Sequence, residues 1–180
     1  MADQLSAQDW VDQGLRTLAR DGFTALKADP LAKVMGVSRG SFYWHFADIA
    51  AYHAAVLARW REVALDNIIA DMEQAPPQDT PLRRLLRRVF AARPALEVAV
   101  RSWAAHDAAA RRAVQAVDRR RLSYVADLLI AAGVPAAAAQ TRAQVLYWAF
   151  LGFALSEKAA PGEPPAALID ELVRMAGVRG

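Results

Sequence analysis

An all-α protein of about nine helices is the expectation for this 180-residue chain, and three features point to it. Alanine, the strongest intrinsic helix former, fills 41 positions. All nine prolines fall between apolar-periodic runs; inside one, each would remove a hydrogen bond and clash with the preceding turn. Glu97–Trp103 alternates briefly like a strand, but Pro94 before it and the alanines after it favour helix there too. No fixed period recurs, which argues against a solenoid.

The first helix is expected from about Ser6 to Arg20. Ser6 caps it, Asp9 three residues on supplies a weaker capping box, Val11, Leu15 and Leu18 share a face, and Gly22 stops it. The second opens at Asp29-Pro30, a cap followed by a first-turn proline, and ends at Gly36. A short third helix covers Arg39–His45. A fourth, capped by Asp48, runs to about Glu73 with Ile49, Tyr52, Val56, Trp60, Val63 and Ile68 near one stripe. The loop containing Pro76, Pro77 and Pro81 breaks the chain. Later helices are expected over 81–91, 94–105, 107–132, 136–159 and 164–176, with Gly133 at the left-handed position that ends the 107–132 run.

Composition removes whole classes of function. With no cysteine there is no disulfide, thiolate metal site or thiol nucleophile. The three histidines, His45, His53 and His106, lack metal-ligand spacing and a carboxylate cluster. Neither a Gly-x-Ser-x-Gly elbow nor a phosphate-cradling glycine loop occurs, so no enzyme, metal or cofactor is expected. No stretch approaches 18 charge-free apolar residues, and Met1–Trp10 lacks a basic start followed by an apolar run. The expectation is a cytoplasmic protein with no membrane partner.

Net charge is +3, too small by itself to argue a polyanion partner. Residues 1–47 carry five basic and five acidic side chains, whereas 82–121 carry eleven arginines against Glu97, Asp107 and Asp118. A nucleic-acid reading of that second stretch competes with solvated helix faces. The second is preferred, because Arg83, Arg84, Arg87 and Arg88 flank Leu85, Leu86, Val89 and Phe90 in the pattern of an amphipathic helix.

The specific motif is Pro30–Phe46, PLAKVMGVSRGSFYWHF. Ala32 is small where two helices cross, Gly36 allows a positive backbone angle, Val37 plugs the gap, and Ser38 caps the next helix. Leu31, Met35 and Phe42 supply buried contacts. This is helix-turn-helix spacing, in which the second helix enters the major groove by its N-terminal end. Phe42 and Phe46, four apart, can face inward together; Tyr43 and Trp44 then cannot both be buried, and an exposed aromatic pair marks a contact surface.

Gly36-Val37-Ser38 and Tyr43-Trp44-His45-Phe46 resemble the DNA-binding head of the tetracycline-repressor (TetR) family of transcription regulators. The resemblance implies a three-helix head over 1–47, with the motif at about 28–47, followed by a helical effector-binding and dimerisation domain over 48–180. It places Arg39, Ser41 and Trp44 where base edges are read, with Arg39 able to pair with guanine and Gly40 allowing close approach. Tyr43 and His45 sit where the family touches phosphates, and Lys27 and Ser38 can add such contacts. Two departures stand out. Ile49 occupies the place where the family often has a lysine, and the head is electrically neutral, which predicts a shallow salt dependence.

In 48–180 most aromatics are expected to be core. As the family's cavity binds a small apolar effector, Trp60, Phe90, Arg101, Trp103, His106 and Trp148 are the candidate pocket residues. Leu146, Phe150, Leu151, Leu168, Ile169, Leu172 and Val173 are the candidate dimer face, from two helices per chain forming a four-helix bundle. The implied function is a homodimeric repressor of transcription on a palindromic double-stranded DNA operator, released by the effector. The fourth helix would carry the change, altering the roughly 34–36 Å spacing of the paired reading helices. The alternative is a helical interaction module whose head has lost DNA binding.

Overall fold

The structure, a computed structural model, describes residues 5–74, 79–92, 94–156 and 165–178. Among them no strand forms. The helices are α1 (Ala7–Asp21), α2 (Ala28–Met35), α3 (Arg39–His45), α4 (Ile49–Arg61), α5 (Asn67–Gln74), α6 (Pro81–Ala91), α7 (Ala95–His106), α8 (Ala108–Ala131), α9 (Ala136–Ala154) and α10 (Ala166–Met175). A single 3-10 turn, Phe23–Ala25, precedes α2, and a π turn, Glu62–Asp66, joins α4 to α5. The expected helix ends at 159 and 164, and Pro76, Pro77, Pro161 and Pro164, lie outside the described residues. No helix of the described residues is long and apolar enough to cross a membrane.

Packing divides the chain into two compact units. The first comprises residues up to Ala64 together with Ala95–Gln115; the second comprises Leu65–Pro94 and the chain from Ala116 onward. The contact boundary therefore differs from the division by role at 47/48, because α4 and α7 both pack on α1.

In the first unit the α1 capping box forms in full. Ser6 Oγ accepts from the Asp9 amide at 3.2 Å, and the Ser6 amide donates to Asp9 Oδ2 at 2.7 Å. Trp10, Val11, Leu15 and Leu18 are buried. Trp10 meets Phe42 edge-on at 5.4 Å, Phe42 lies 5.2 Å from Tyr52, and the Tyr52 hydroxyl donates to the Trp10 carbonyl at 2.9 Å. Gly14 is required here: a Cβ would run into the Tyr52 hydroxyl and come within 2.9 Å of Val56. From α7, Trp103 stacks on Phe23 at 4.5 Å and meets the edge of His53 at 5.4 Å. His53 Nε2 lies 2.9 Å from the Leu26 carbonyl.

Two local expectations need correcting. α2 starts one residue before the anticipated Asp29 cap; its N-cap position is Lys27, and Asp29 lies within the first turn with its carboxylate free to point elsewhere. The stripe along the fourth helix follows Tyr52, Val56 and Trp60, but then Leu65 is buried while Val63 is 38% exposed. The π turn over 62–66 inserts the extra residue that shifts the apolar face by one position. Ile49 is also exposed.

In the second unit, Leu82, Leu86 and Phe90 of α6 pack with Ala126 and Leu129 of α8, Ala139, Ala143 and Leu146 of α9, and Ile169 and Val173 of α10. The α6 arginines lie outside this face, as expected, and meet acids or carbonyls. Arg83 pairs with Asp79 at 3.4 Å and with Asp170, and Arg87 pairs with Asp79 at 3.2 Å. Arg84 reaches the Met72 carbonyl at 3.5 Å, and Arg88 lies 3.9 Å from Asp71. The basic excess of that helix is therefore largely met within the chain.

Candidate nucleic-acid interface

The interface is built by two helices and the turn between them. Pro30 in the first turn of α2 costs no hydrogen bond, because that amide would be unpaired in any case. Gly36 ends α2 with φ 69°, a left-handed conformation that residues with a Cβ adopt at a cost. The Val37 amide then donates back to the Ala32 carbonyl at 3.0 Å, closing the turn. Leu31 and Ala32 are buried; Met35 and Val37 are half-buried. Ser38 occupies the N-cap position of α3 but makes no side-chain capping bond; its carbonyl accepts from the Ser41 amide at 3.1 Å. The anticipated hydroxyl cap is therefore absent, and the exposed Ser38 hydroxyl is unused in capping.

α3 is pinned by Phe42, fully buried, and followed by Phe46, 7% exposed, their rings 5.3 Å apart. That anchoring forces the rest of the helix outward. Tyr43 is 48% exposed and Trp44 80%, the arrangement the four-residue spacing of the phenylalanines requires. Arg39, Gly40 and Ser38 are exposed, Ser41 and His45 half-buried, and Lys27 exposed at the start of α2. All eight residues named for DNA contact from the sequence thus lie on, or next to, α2 and α3. A Cβ on Gly40 would meet nothing closer than the Ser38 hydroxyl at 3.6 Å, so its surroundings within the chain leave room for an outside surface.

Arg39 is held rather than loose. Its Nη2 donates to the Tyr43 hydroxyl at 3.1 Å, its guanidinium lies 5.4 Å from the Tyr43 ring centre, and its Nε is 3.3 Å from Asp29 Oδ1. The Tyr43 hydroxyl first, and the Asp29 carboxylate second, hold its pKa above the ordinary arginine value. On the sequence alone Asp29 is expected to be a helix cap. The ten-residue separation from Arg39 carries no helical periodicity, and only the turn at Gly36 brings the two together.

The other expected groups are divided between the two units. Trp60 and Trp103 are buried in the first unit, where Arg101 pairs with buried Glu97 at 2.8 Å. Phe90 belongs to the core of the second, 5.0 Å from Phe153. His106 is exposed and Trp148 is 64% exposed, so neither lines an interior cavity; on α9 Trp148 lies two residues, or about 200°, from buried Leu146. Among the candidate dimer residues, Leu146, Ile169 and Val173 are core, which removes them from any surface; Phe150, Leu151 and Leu172 are half-buried, and Leu168 is 38% exposed. The apolar residues these helices do expose are Val145, Trp148, Leu155 and Met175, with Leu168. Among the described residues no group of three or more His, Asp or Glu side chains is placed to hold a metal.

A buried helical scaffold presenting a short aromatic and arginine-bearing helix across a glycine turn defines a helix-turn-helix protein of the DNA-binding kind. Residues 11–51 match the family model described as bacterial regulatory proteins, tetR family. The match covers the head alone, and there the chain is similar to that family. Solved structures share the fold beyond the head. A transcriptional regulator from Rhodococcus sp. Rha1 is 22% identical, with a TM-score of 0.73 over 96% of this chain and 95% of its own. A regulator assigned to the TetR/AcrR family is 20% identical, with a TM-score of 0.73 over 94% and 97%. Another assigned to the TetR family, from Rhodococcus sp., is 19% identical, with a TM-score of 0.69 over 96% and 97%. No curated protein matches the chain.

Proposed function

We propose that the protein is a homodimeric, sequence-specific DNA-binding repressor of transcription that a small apolar effector releases from a palindromic operator. The observation that carries the DNA-binding part is the exposure of Tyr43 and Trp44 on a helix anchored by Phe42 and Phe46. A soluble surface gains nothing from two adjacent exposed rings unless something covers them. In this reading Arg39, Ser41 and Trp44 meet base edges. Tyr43, His45, Lys27 and Ser38 meet phosphates, and Gly40 lets the duplex approach.

The dimer reading is supported by apolar side chains left uncovered on α9 and α10, with the contact moved from Leu146, Ile169 and Val173 to Val145, Trp148, Leu155, Leu168 and Met175. Release by an effector rests on the family of the head. The direct check is a mass spectrum of the purified protein for a small molecule carried with it.

The decisive test uses duplex DNA from immediately upstream of the protein's own gene, in a gel shift. Tyr43→Ala is expected to abolish the shift, and Arg39→Ala to weaken it about 5- to 150-fold, the loss of one bidentate guanine contact, while unchanged circular dichroism shows the fold intact. Normal binding by both variants rejects the assignment. A second reading, an interaction module without DNA binding, is favoured by one feature, the exposed Ile49 where the family often carries a lysine. In that case the wild-type chain shifts no duplex at all.

A further inference from the structure

We propose that Asp29 is a positioning residue for base recognition, fixing the Arg39 guanidinium so that its outer end, and not its side, is offered to a guanine. The inference rests on the DNA-binding reading above and adds to it a device that sets selectivity.

A guanidinium can grip a planar acceptor pair by two edges, Nε with Nη2 or Nη1 with Nη2. In this head the first edge faces groups of the protein itself. Asp29 Oδ1 lies 3.3 Å from Nε, and the Tyr43 hydroxyl accepts from Nη2 at 3.1 Å. Nη1 has no partner among the described residues, so the end of the fork remains for O6 and N7 of guanine. The two holders come from different elements, Asp29 from the first turn of α2 and Tyr43 from one turn further along α3. The guanidinium direction is therefore tied to the geometry of the helix-turn-helix itself.

The carboxylate has a second consequence. Asp29 is 67% exposed, on the same surface as Arg39, whose side chain is 61% exposed. A carboxylate there repels any phosphate and keeps Arg39 from wandering onto one, which lowers affinity for DNA of arbitrary sequence. Discrimination is a difference of affinities, so a group that weakens the wrong contact while orienting the right one raises the ratio twice over. The neutral charge of the head then has a use.

The test starts from a random duplex pool enriched on the full-length wild-type protein. Fluorescence anisotropy then measures the enriched duplex and a scrambled one over a range of KCl concentrations, for wild type, Asp29→Asn, Asp29→Ser, Arg39→Ala and Asp29→Asn with Arg39→Ala. Asp29→Asn and Asp29→Ser are expected to lower the ratio of enriched to scrambled affinity about 2- to 10-fold, the cost of orienting one freed side chain. They should also tighten scrambled binding and steepen its salt slope by about one. Their own selections should relax at a guanine position. In the Arg39→Ala background Asp29→Asn should leave the ratio unchanged.

An unchanged ratio in the single variants overturns the proposal. So does an equal fall with Arg39 absent, which would mean that Asp29 contacts a base itself, as a carboxylate can with a cytosine amino group. A wild-type protein that enriches no duplex defeats the DNA-binding reading and this inference together, an outcome distinct from normal wild-type enrichment with an unchanged ratio.

Discussion

Tyr52 shows how one side chain can tie a head together. Its ring closes the aromatic cluster of Trp10, Phe42 and Phe46, and its hydroxyl, whose pKa burial pushes up, donates to the Trp10 carbonyl. The hydroxyl needs the space that Gly14 leaves. Gly14→Ala should therefore destabilise the protein by about 1–3 kcal/mol, the usual cost of overpacking, and lower the melting temperature. Tyr52→Phe removes the nearest obstructing atom and leaves the Val56 methyl at 2.9 Å, so the alanine should cost less, though still something, in that background; equal costs would mean that the hydroxyl is not the main obstacle. Asp12 offers a pH test. Burial raises its pKa, but the hydrogen bonds from Arg59 and Gln8 and the Arg59 charge outweigh it, leaving the group below the ordinary aspartate value. A carboxyl depressed on folding stabilises above the unfolded value and loses that contribution as pH falls through the native one. Acid unfolding followed by tryptophan fluorescence should thus show a milder loss below about pH 4 in Asp12→Asn than in wild type. Neither residue's role was visible in the chain itself. Tyr52 lies 42 positions from Trp10 and Asp12 lies 47 from Arg59, separations at which periodicity says nothing.

Helices were readable where a single rule fixed them, and misread where two competed. α3 was set by Phe42 and Phe46 at one helical repeat, so both its range and its outward rings followed from the sequence. α6 followed from its leucines and arginines, with Pro81 in its first position. The 48–73 run was different: a straight α period from Trp60 points to Val63, while the structure buries Leu65, five residues on, through one π turn. Nothing in a hydropathy pattern announces a π turn, because the apolar spacing on either side remains helical. The register is testable. Leu65→Ala should cost about 2–5 kcal/mol, as for a buried leucine, and Val63→Ala should stay within about 0.5 kcal/mol, as for an exposed site, in urea unfolding. The reverse order would restore an unbroken α register.

Taken as a molecule, the chain divides its charge and its apolar surface in opposite ways. The arginines of α6 are answered by Asp79, Asp170 and Asp71, whereas α9 and α10 leave Trp148, Leu155 and Met175 more than half exposed. The sequence offers these two helices as a contact surface partly through Leu146, Ile169 and Val173, which the structure buries in the core; they are as apolar as the exposed residues, and only packing shows which face is used inside. Val145, Trp148, Gly152 and Leu155 follow one another at three- and four-residue steps, a continuous line on α9, and Gly152 has nothing within 4 Å of where a Cβ would stand. A second copy approaching that line could bring a helix close at the glycine and bury the indole, the kind of large aromatic that dominates association energies. Trp148→Glu should therefore convert a dimer to a monomer in sedimentation velocity at micromolar concentration. It should also weaken operator binding by 10-fold or more, because two linked heads gain affinity that one cannot. Tyr43→Ala should do the opposite, losing the operator while sedimenting as wild type. A Trp148→Glu protein that remains dimeric would move the contact to another face, whatever its effect on DNA.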